Sequence, residues 1–300
     1  MSQCLRGKRN LLESFFSFLE KRVDDCSSLL CVGLDPHVSD LTSNSPASAL
    51  DFCLNLVKQT SRYAAAFKPN AAFFEVFGAE GWSALKEVID AIQAESNRMG
   101  SMIPVILDAK RGDIASTAEA YAKSTFETLD ADCITLSPYL GKDSIDPFLN
   151  YSQKGVFLLC KTSNPGSGDL QDVLVLDEEE RGKKKEGDLF PLSSFVPMHI
   201  RVAQLAQSWN TKNNIGLVVG ATHIEAMKRV RAAAPDLWFL APGVGAQGGE
   251  LEAALKAGLR KDGKGMLIPI SRGISRAENP GLAAAEIRDE ILHIKAQLSH

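Results

Sequence analysis

The chain has 300 residues, 45% of them hydrophobic and 23% charged, with a formal net charge of −4. That is apolar material for an ample core, and the mild acidity speaks against nucleic acid or an anionic membrane as a partner. No apolar run approaches the roughly 18 residues that a membrane helix needs.

In chain order, residues 1–10 (MSQCLRGKRN) form a slightly basic leader without an apolar signal core or a small-residue cleavage site. Leu11–Asp25 follows, with Leu12, Phe15, Phe16, Leu19 and Val23 on one helical face. An extra helix here is expected to cover the bottom of the fold. Eight short apolar runs then read as strands: Leu29–Leu34, Ala64–Lys68, Met102–Asp108, Cys133–Ser137, Val156–Lys161, Gly216–Gly220, Trp238–Pro242 and Met266–Ile270. Many are nearly continuous Val, Ile, Leu, Phe and Cys, as expected of parallel strands buried on both faces.

Helical periodicity fills the gaps. It runs through Trp82, Leu85, Val88, Ile89 and Ile92, then through Ile114, Ala118, Tyr121, Ala122, Phe126 and Leu129. It returns at Ile224, Met227 and Val230, opened by a capping box at Thr222 and Glu225, and at Leu282, Ile287, Ile291, Ile294 and Leu298. Strand then helix, repeated eight times, predicts one (β/α)₈ TIM barrel domain over residues 1–300. A doubly wound sheet is the alternative, but no G-x-G-x-x-G follows the first strand. One segment breaks the rhythm. Asp169–Pro197 holds DEEERGKKKEGD and reads as a solvated insertion loop after the fifth strand, with a lid role as one possible use.

The six cysteines include no C-x-x-C pair, and none has a histidine at finger spacing. Reduced buried thiols in a cytoplasmic protein are the plain reading. No zinc site is indicated.

The most informative stretch is LDAKRGDI, Leu107–Ile114. Alternation along a strand points Asp108 and Lys110 the same way, side by side where an apolar strand ends. Asp113 opens the next helix and adds a second carboxylate. A surface ion-pair cluster with Asp113 as an N-cap is the bland reading. Charges gathered at a strand's C-terminal end are, however, typical of α/β active sites.

A barrel brings all its strand ends to one mouth. Asp35 ends strand one, Lys68 strand two, and Ser163 follows strand five. Strand seven runs into PGVGAQGG, Pro242–Gly249, and strand eight ends in Ser271-Arg272-Gly273. A glycine-rich turn, the Gln247 amide and the Arg272 fork together outline a phosphate site. Lys68 could form a Schiff base, but flanking carboxylates favour the charged, poorly nucleophilic ammonium. No third carboxylate or histidine lies close by in sequence to complete a divalent-metal shell. An ammonium beside a carboxylate suits stabilising a carbanion and then protonating it.

These pieces resemble the orotidine 5′-phosphate decarboxylase family, in the branch whose second strand reads FKPN. The matches are GLDP (33–36), FKPNAAFFE (67–75), LDAKRGDIAST (107–117), LSPYLG (136–141), KTSNPG (161–166), PGVGAQGG and SRG. The resemblance implies decarboxylation of orotidine 5′-monophosphate to UMP, without a cofactor or metal. It implies a charged array of Lys68, Asp108, Lys110 and Asp113. It further implies a ribose contact at Asp35, a pyrimidine contact at Ser163, and phosphate contacts at Gln247 and Arg272. It also implies a homodimer in which Asp113 and Thr117 reach the partner's site. A metal-dependent sugar-phosphate decarboxylase or aldolase of the same superfamily is the enzymatic alternative, and a barrel that only binds a nucleotide is the non-enzymatic one. Lys68 counts against the metal reading, because a divalent ion would want a carboxylate there.

Overall fold

The computed structural model describes residues 13–178, 190–244 and 248–298. It contains the strands β1 Leu30–Leu34, β2 Ala66–Pro69, β3 Ile106–Arg111, β4 Cys133–Leu136 and β5 Gly155–Lys161. They continue with β6 Leu174–Leu176, β7 Phe195–Pro197, β8 Ile215–Val219, β9 Trp238–Leu240 and β10 Met266–Ile270.

Eight of these form one sheet in the order β2-β1-β10-β9-β8-β5-β4-β3. Each ladder in it is parallel. Bridges from Phe67 to Val105 and from Asn70 to Asp108 join the two end strands. An open doubly wound sheet would leave two free edges, whereas these bridges close the ring into a (β/α)₈ barrel. The eight predicted strands are its eight staves, with ends moved by a few residues. The runs are apolar because both faces are covered: every residue of β1, β2 and β4 is buried.

Helix Phe15–Cys26 closes the bottom. Ser14 caps it by accepting from the Ser17 amide at 3.2 Å. Phe16 meets Phe157 edge-on at 5.5 Å and stacks with Trp238 at 6.3 Å. Gly155 and Trp238 are the first residues of β5 and β9, so the helix sits at the strands' N-terminal ends. A Cβ on Gly155 would fall 2.3 Å from the Phe15 ring, which leaves room only for glycine. Leu12, expected on the same face, lies outside the described residues. Among the described residues, no helix is long and apolar enough to cross a membrane.

Two local expectations fail. The helix expected to begin with a capping box starts at Ile224, with His223 at the N-cap and no side-chain cap bond. Thr222 therefore stands one residue too early to bond the first free amides. The segment Asp169–Pro197 is also more structured at its flanks than a solvated loop. β6 and β7 pair antiparallel, Leu174 with Pro197 and Leu176 with Phe195. Charge density across the whole segment hid these two short apolar runs, whose residue types suit strands. Most of the charged run itself lies outside the described residues.

Candidate active site

The C-terminal ends of the strands enclose a cavity of about 1090 Å³, lined among others by Gly33, Asp35, Lys68, Gly243, Ser271 and Arg272. Its first wall is β1 against β10. Gly33 faces Ser271 so closely that an added Cβ would lie 2.8 Å from the serine Cβ, which explains the glycine of GLDP. Gly33 also pairs in register with Lys68 on β2, which puts the lysine two residues below Asp35 along the same wall. One Asp35 oxygen and the Ser271 hydroxyl are buried without a hydrogen-bond partner among the described residues.

The second wall is β3, and there the strand is not regular. Leu107 pairs with Ile134 and Arg111 with Leu136, so Asp108, Ala109 and Lys110 all stand opposite Thr135 alone. Lys110 takes a left-handed backbone, φ 47°, in the middle of this bulge. Asp108 and Lys110 do meet, as alternation predicts, but a bulge rather than a regular pleat brings them together. The Thr135 hydroxyl accepts from the amides of Ala109 at 3.1 Å and Lys110 at 2.9 Å, and donates to Asp108 Oδ1 at 3.0 Å. Nothing in the sequence sets this threonine apart from other strand threonines. Its role appears only once the register across β3 and β4 is known.

Asp108 sits between two ammoniums. Lys68 Nζ lies 2.9 Å from Oδ2, and Lys110 Nζ lies 2.5 Å from Oδ1. Lys68 and Asp108 have side chains only 10% and 11% exposed, whereas Lys110 is 51% exposed. Burial pushes the Asp108 carboxyl up, but Lys68 and Lys110 outweigh it and hold the pKa down at about 2. Burial likewise opposes the charge on Lys68, and Asp108 with Asp35 overcomes it, raising the pKa above the ordinary lysine value. Asp108 and Lys68 are therefore both charged at neutral pH. Behind them, Arg111 pairs with Glu75 of the FKPNAAFFE stretch and lies 5.1 Å from the Tyr121 ring, tying the end of β3 to its neighbours.

The other sequence candidates divide. Ser163 stands beside Gly220 and Gly243, with its Oγ 3.6 Å from a Cβ built on Gly243, so the segment after β5 meets the glycine-rich turn. Arg272 begins the short helix Arg272–Ser275, is exposed, and makes no ion pair among the described residues. Asp113 does not join the trio within one chain. Its Oδ1 accepts from the Ile114 amide at 2.8 Å, and Ile114 rather than Asp113 is the N-cap of helix Ala115–Lys123. Thr117 is exposed on the first turn of that helix. Gln247 lies outside the described residues. Among the described residues, no three His, Cys, Asp or Glu side chains converge as a metal site.

The chain resembles known proteins along nearly its whole length. It is 46% identical over 272 residues to orotidine 5′-phosphate decarboxylase of Roseiflexus sp. (strain RS-1), covering 89% of this chain and 91% of that one. The solved structure of Leishmania donovani OMP decarboxylase is 50% identical, covers 95% of this chain and 99% of that one, and superposes with a TM-score of 0.79. UMP synthase of the same organism is 53% identical, with 94% of this chain and 56% of that chain covered, and a TM-score of 0.79. The family model named for orotidine 5′-phosphate decarboxylase and HUMPS matches residues 28–287, a span that holds every strand of the barrel and all the charged strand ends described above. With a barrel, a charged trio and this match in agreement, the chain belongs to the orotidine 5′-phosphate decarboxylase / HUMPS family.

Proposed function

We propose that the chain decarboxylates orotidine 5′-monophosphate to UMP in de novo pyrimidine biosynthesis, without a cofactor. The observation that carries this reading is the Lys68–Asp108–Lys110 trio at the end of β2 and β3, a buried ion pair with the more exposed Lys110 on the carboxylate's other oxygen. A metal-dependent member of the same superfamily is less well supported, since Lys68 fills a place where a divalent ion would need a carboxylate.

Breaking the bond from C6 to the carboxylate carbon releases CO₂ and leaves the electron pair on C6, in the plane of the ring. The ring π system cannot spread that pair, and no electron sink of the coenzyme kind is needed if fixed charge lowers its energy. Lys110 stabilises the pair and donates a proton to it, forming the C6–H bond of UMP; solvent then reprotonates the amine. Asp108 lies near the departing carboxylate and holds Lys110 in place. Lys68 keeps Asp108 ionised. Asp35 takes a ribose hydroxyl, Ser163 the pyrimidine, and Arg272 with Gln247 the phosphate. Binding energy from that remote phosphate helps exclude water from the charged centre.

The same reading makes the active form a homodimer, with Asp113 and Thr117 completing the partner's site. Support comes from the exposed apolar side chains Val76, Ile114, Tyr139 and Leu140 beside these loops, and from the separation of Asp113 from the trio within one chain. A cytoplasmic location agrees with the free, buried thiols of Cys26, Cys31, Cys53, Cys133 and Cys160.

Incubation with orotidine 5′-monophosphate, followed by loss of its ultraviolet absorbance, tests the activity. Lys110→Ala tests the proton donor: turnover falls by at least about 10³-fold while UMP still binds. Near-normal turnover in that variant would remove Lys110 from the role.

A further inference from the structure

We propose that Thr135 is a positioning residue for the reaction, acting through the bulge of β3 and touching no substrate. The inference rests on the proposed roles of Asp108 and Lys110 and adds a residue that those roles require. Three residues of β3, Asp108, Ala109 and Lys110, stand opposite Thr135 alone. A bulge of this kind turns backbone amides away from the neighbouring strand, and buried amides need acceptors. The Thr135 hydroxyl supplies one for both Ala109, at 3.1 Å, and Lys110, at 2.9 Å. Its single hydrogen goes to Asp108 Oδ1 at 3.0 Å, the same oxygen that holds Lys110 Nζ.

One hydroxyl thus fixes the main chain beneath the proton donor and orients the carboxylate beside it. Thr135 is 1% exposed, so no water replaces it without rearrangement. Lys110 has a left-handed backbone, φ 47°, which a lysine adopts only where its surroundings impose it. The Thr135 acceptor is part of that imposition. A side chain of the same shape without the oxygen would keep the packing and lose the grip.

The test compares Thr135→Val, Thr135→Ser and Lys110→Ala, with kcat and KM taken per folded molecule and thermal midpoints recorded alongside. Thr135→Val is expected to lower kcat about 10- to 100-fold, the scale of a misplacement of about 1 Å, with KM within about threefold of wild type. Thr135→Ser is expected to restore most of kcat, because it returns the oxygen. A lower thermal midpoint with unchanged kcat in Thr135→Val would reduce Thr135 to packing and overturn the proposal, as would a serine variant as slow as the valine one. Should the valine variant fail to fold, the serine variant is compared with Thr135→Ala, and equal kcat in the two overturns the proposal. Full activity in Lys110→Ala would instead defeat the site reading itself, which separates the two failures.

Discussion

Lys68 Nζ lies 2.9 Å from Asp108 Oδ2, and each side chain makes burial of the other tolerable. Together they form a buried pair of opposite charges, and the carboxylate's other oxygen holds Lys110, whose side chain is 51% exposed. The geometry explains why a carboxylate stands between the two lysines. Without Asp108, two ammoniums would share one site and repel.

Asp108→Asn removes that counter-charge. Stability is expected to fall by about 3–5 kcal/mol, the scale of stranding one partner of a buried pair. Turnover should fall by at least about 10²-fold, since both lysines lose their orientation. Urea denaturation and the absorbance assay measure the two effects. An unchanged unfolding midpoint would mean that the pair contributes nothing to holding the barrel mouth.

Acid should erode the same contribution. In the folded protein Asp108 titrates at about 2, below its ordinary value, so the native state binds this proton less readily than the unfolded chain does. The stability it supplies is present above the unfolded pKa of about 3.9 and is lost as pH falls through the folded one. The stability gap between wild type and Asp108→Asn therefore narrows from about pH 4 toward about pH 2. Lys68 runs the other way. Its raised pKa makes its contribution complete at neutral pH and lost only above the ordinary lysine range. A gap that stays constant down to pH 2 would contradict the ion pair.

Arg272→Ala addresses the phosphate end. The guanidinium is exposed, lines the cavity and has no ion-pair partner among the described residues, so its removal should cost little stability. KM is expected to rise about 10- to 100-fold, the worth of one or two charge-assisted hydrogen bonds. Initial rates across a substrate series give the split between KM and kcat. An unchanged KM would move the phosphate elsewhere.

The barrel was legible in the sequence because its strands are buried on both faces and read as short apolar runs at regular spacing. Asp35, Lys68 and Arg272 were legible for a related reason: a charge at the end of such a run has few places to go except the mouth. The bulge at Lys110 was not, because it depends on Thr135 of another strand, and no local pattern announces a register across two chain segments. The β6–β7 ribbon was missed because the charged residues between its strands dominate any average over the segment. The failed capping box at Thr222 shows the limit of a motif whose meaning changes when a helix starts one residue later.

Asp113 supplies the sharpest test of the dimer. Its carboxylate bonds the Ile114 amide and makes no ion pair with the trio of its own chain among the described residues. If it serves the neighbouring site, Lys110→Ala and Asp113→Asn damage different chains of the same site. Each variant alone is expected to be nearly inactive. A dimer containing one of each has one site with both residues intact, namely the site that uses Lys110 of the Asp113→Asn chain and Asp113 of the other. Co-expression in equal amounts should then recover about a quarter of wild-type activity, since half the dimers are mixed and each has one good site of two. Separately tagged chains allow the mixed dimer to be isolated and assayed directly. Activity no higher than that of the two parents would place Asp113 in its own chain's site and leave the exposed Ile114, Tyr139 and Leu140 in need of another explanation.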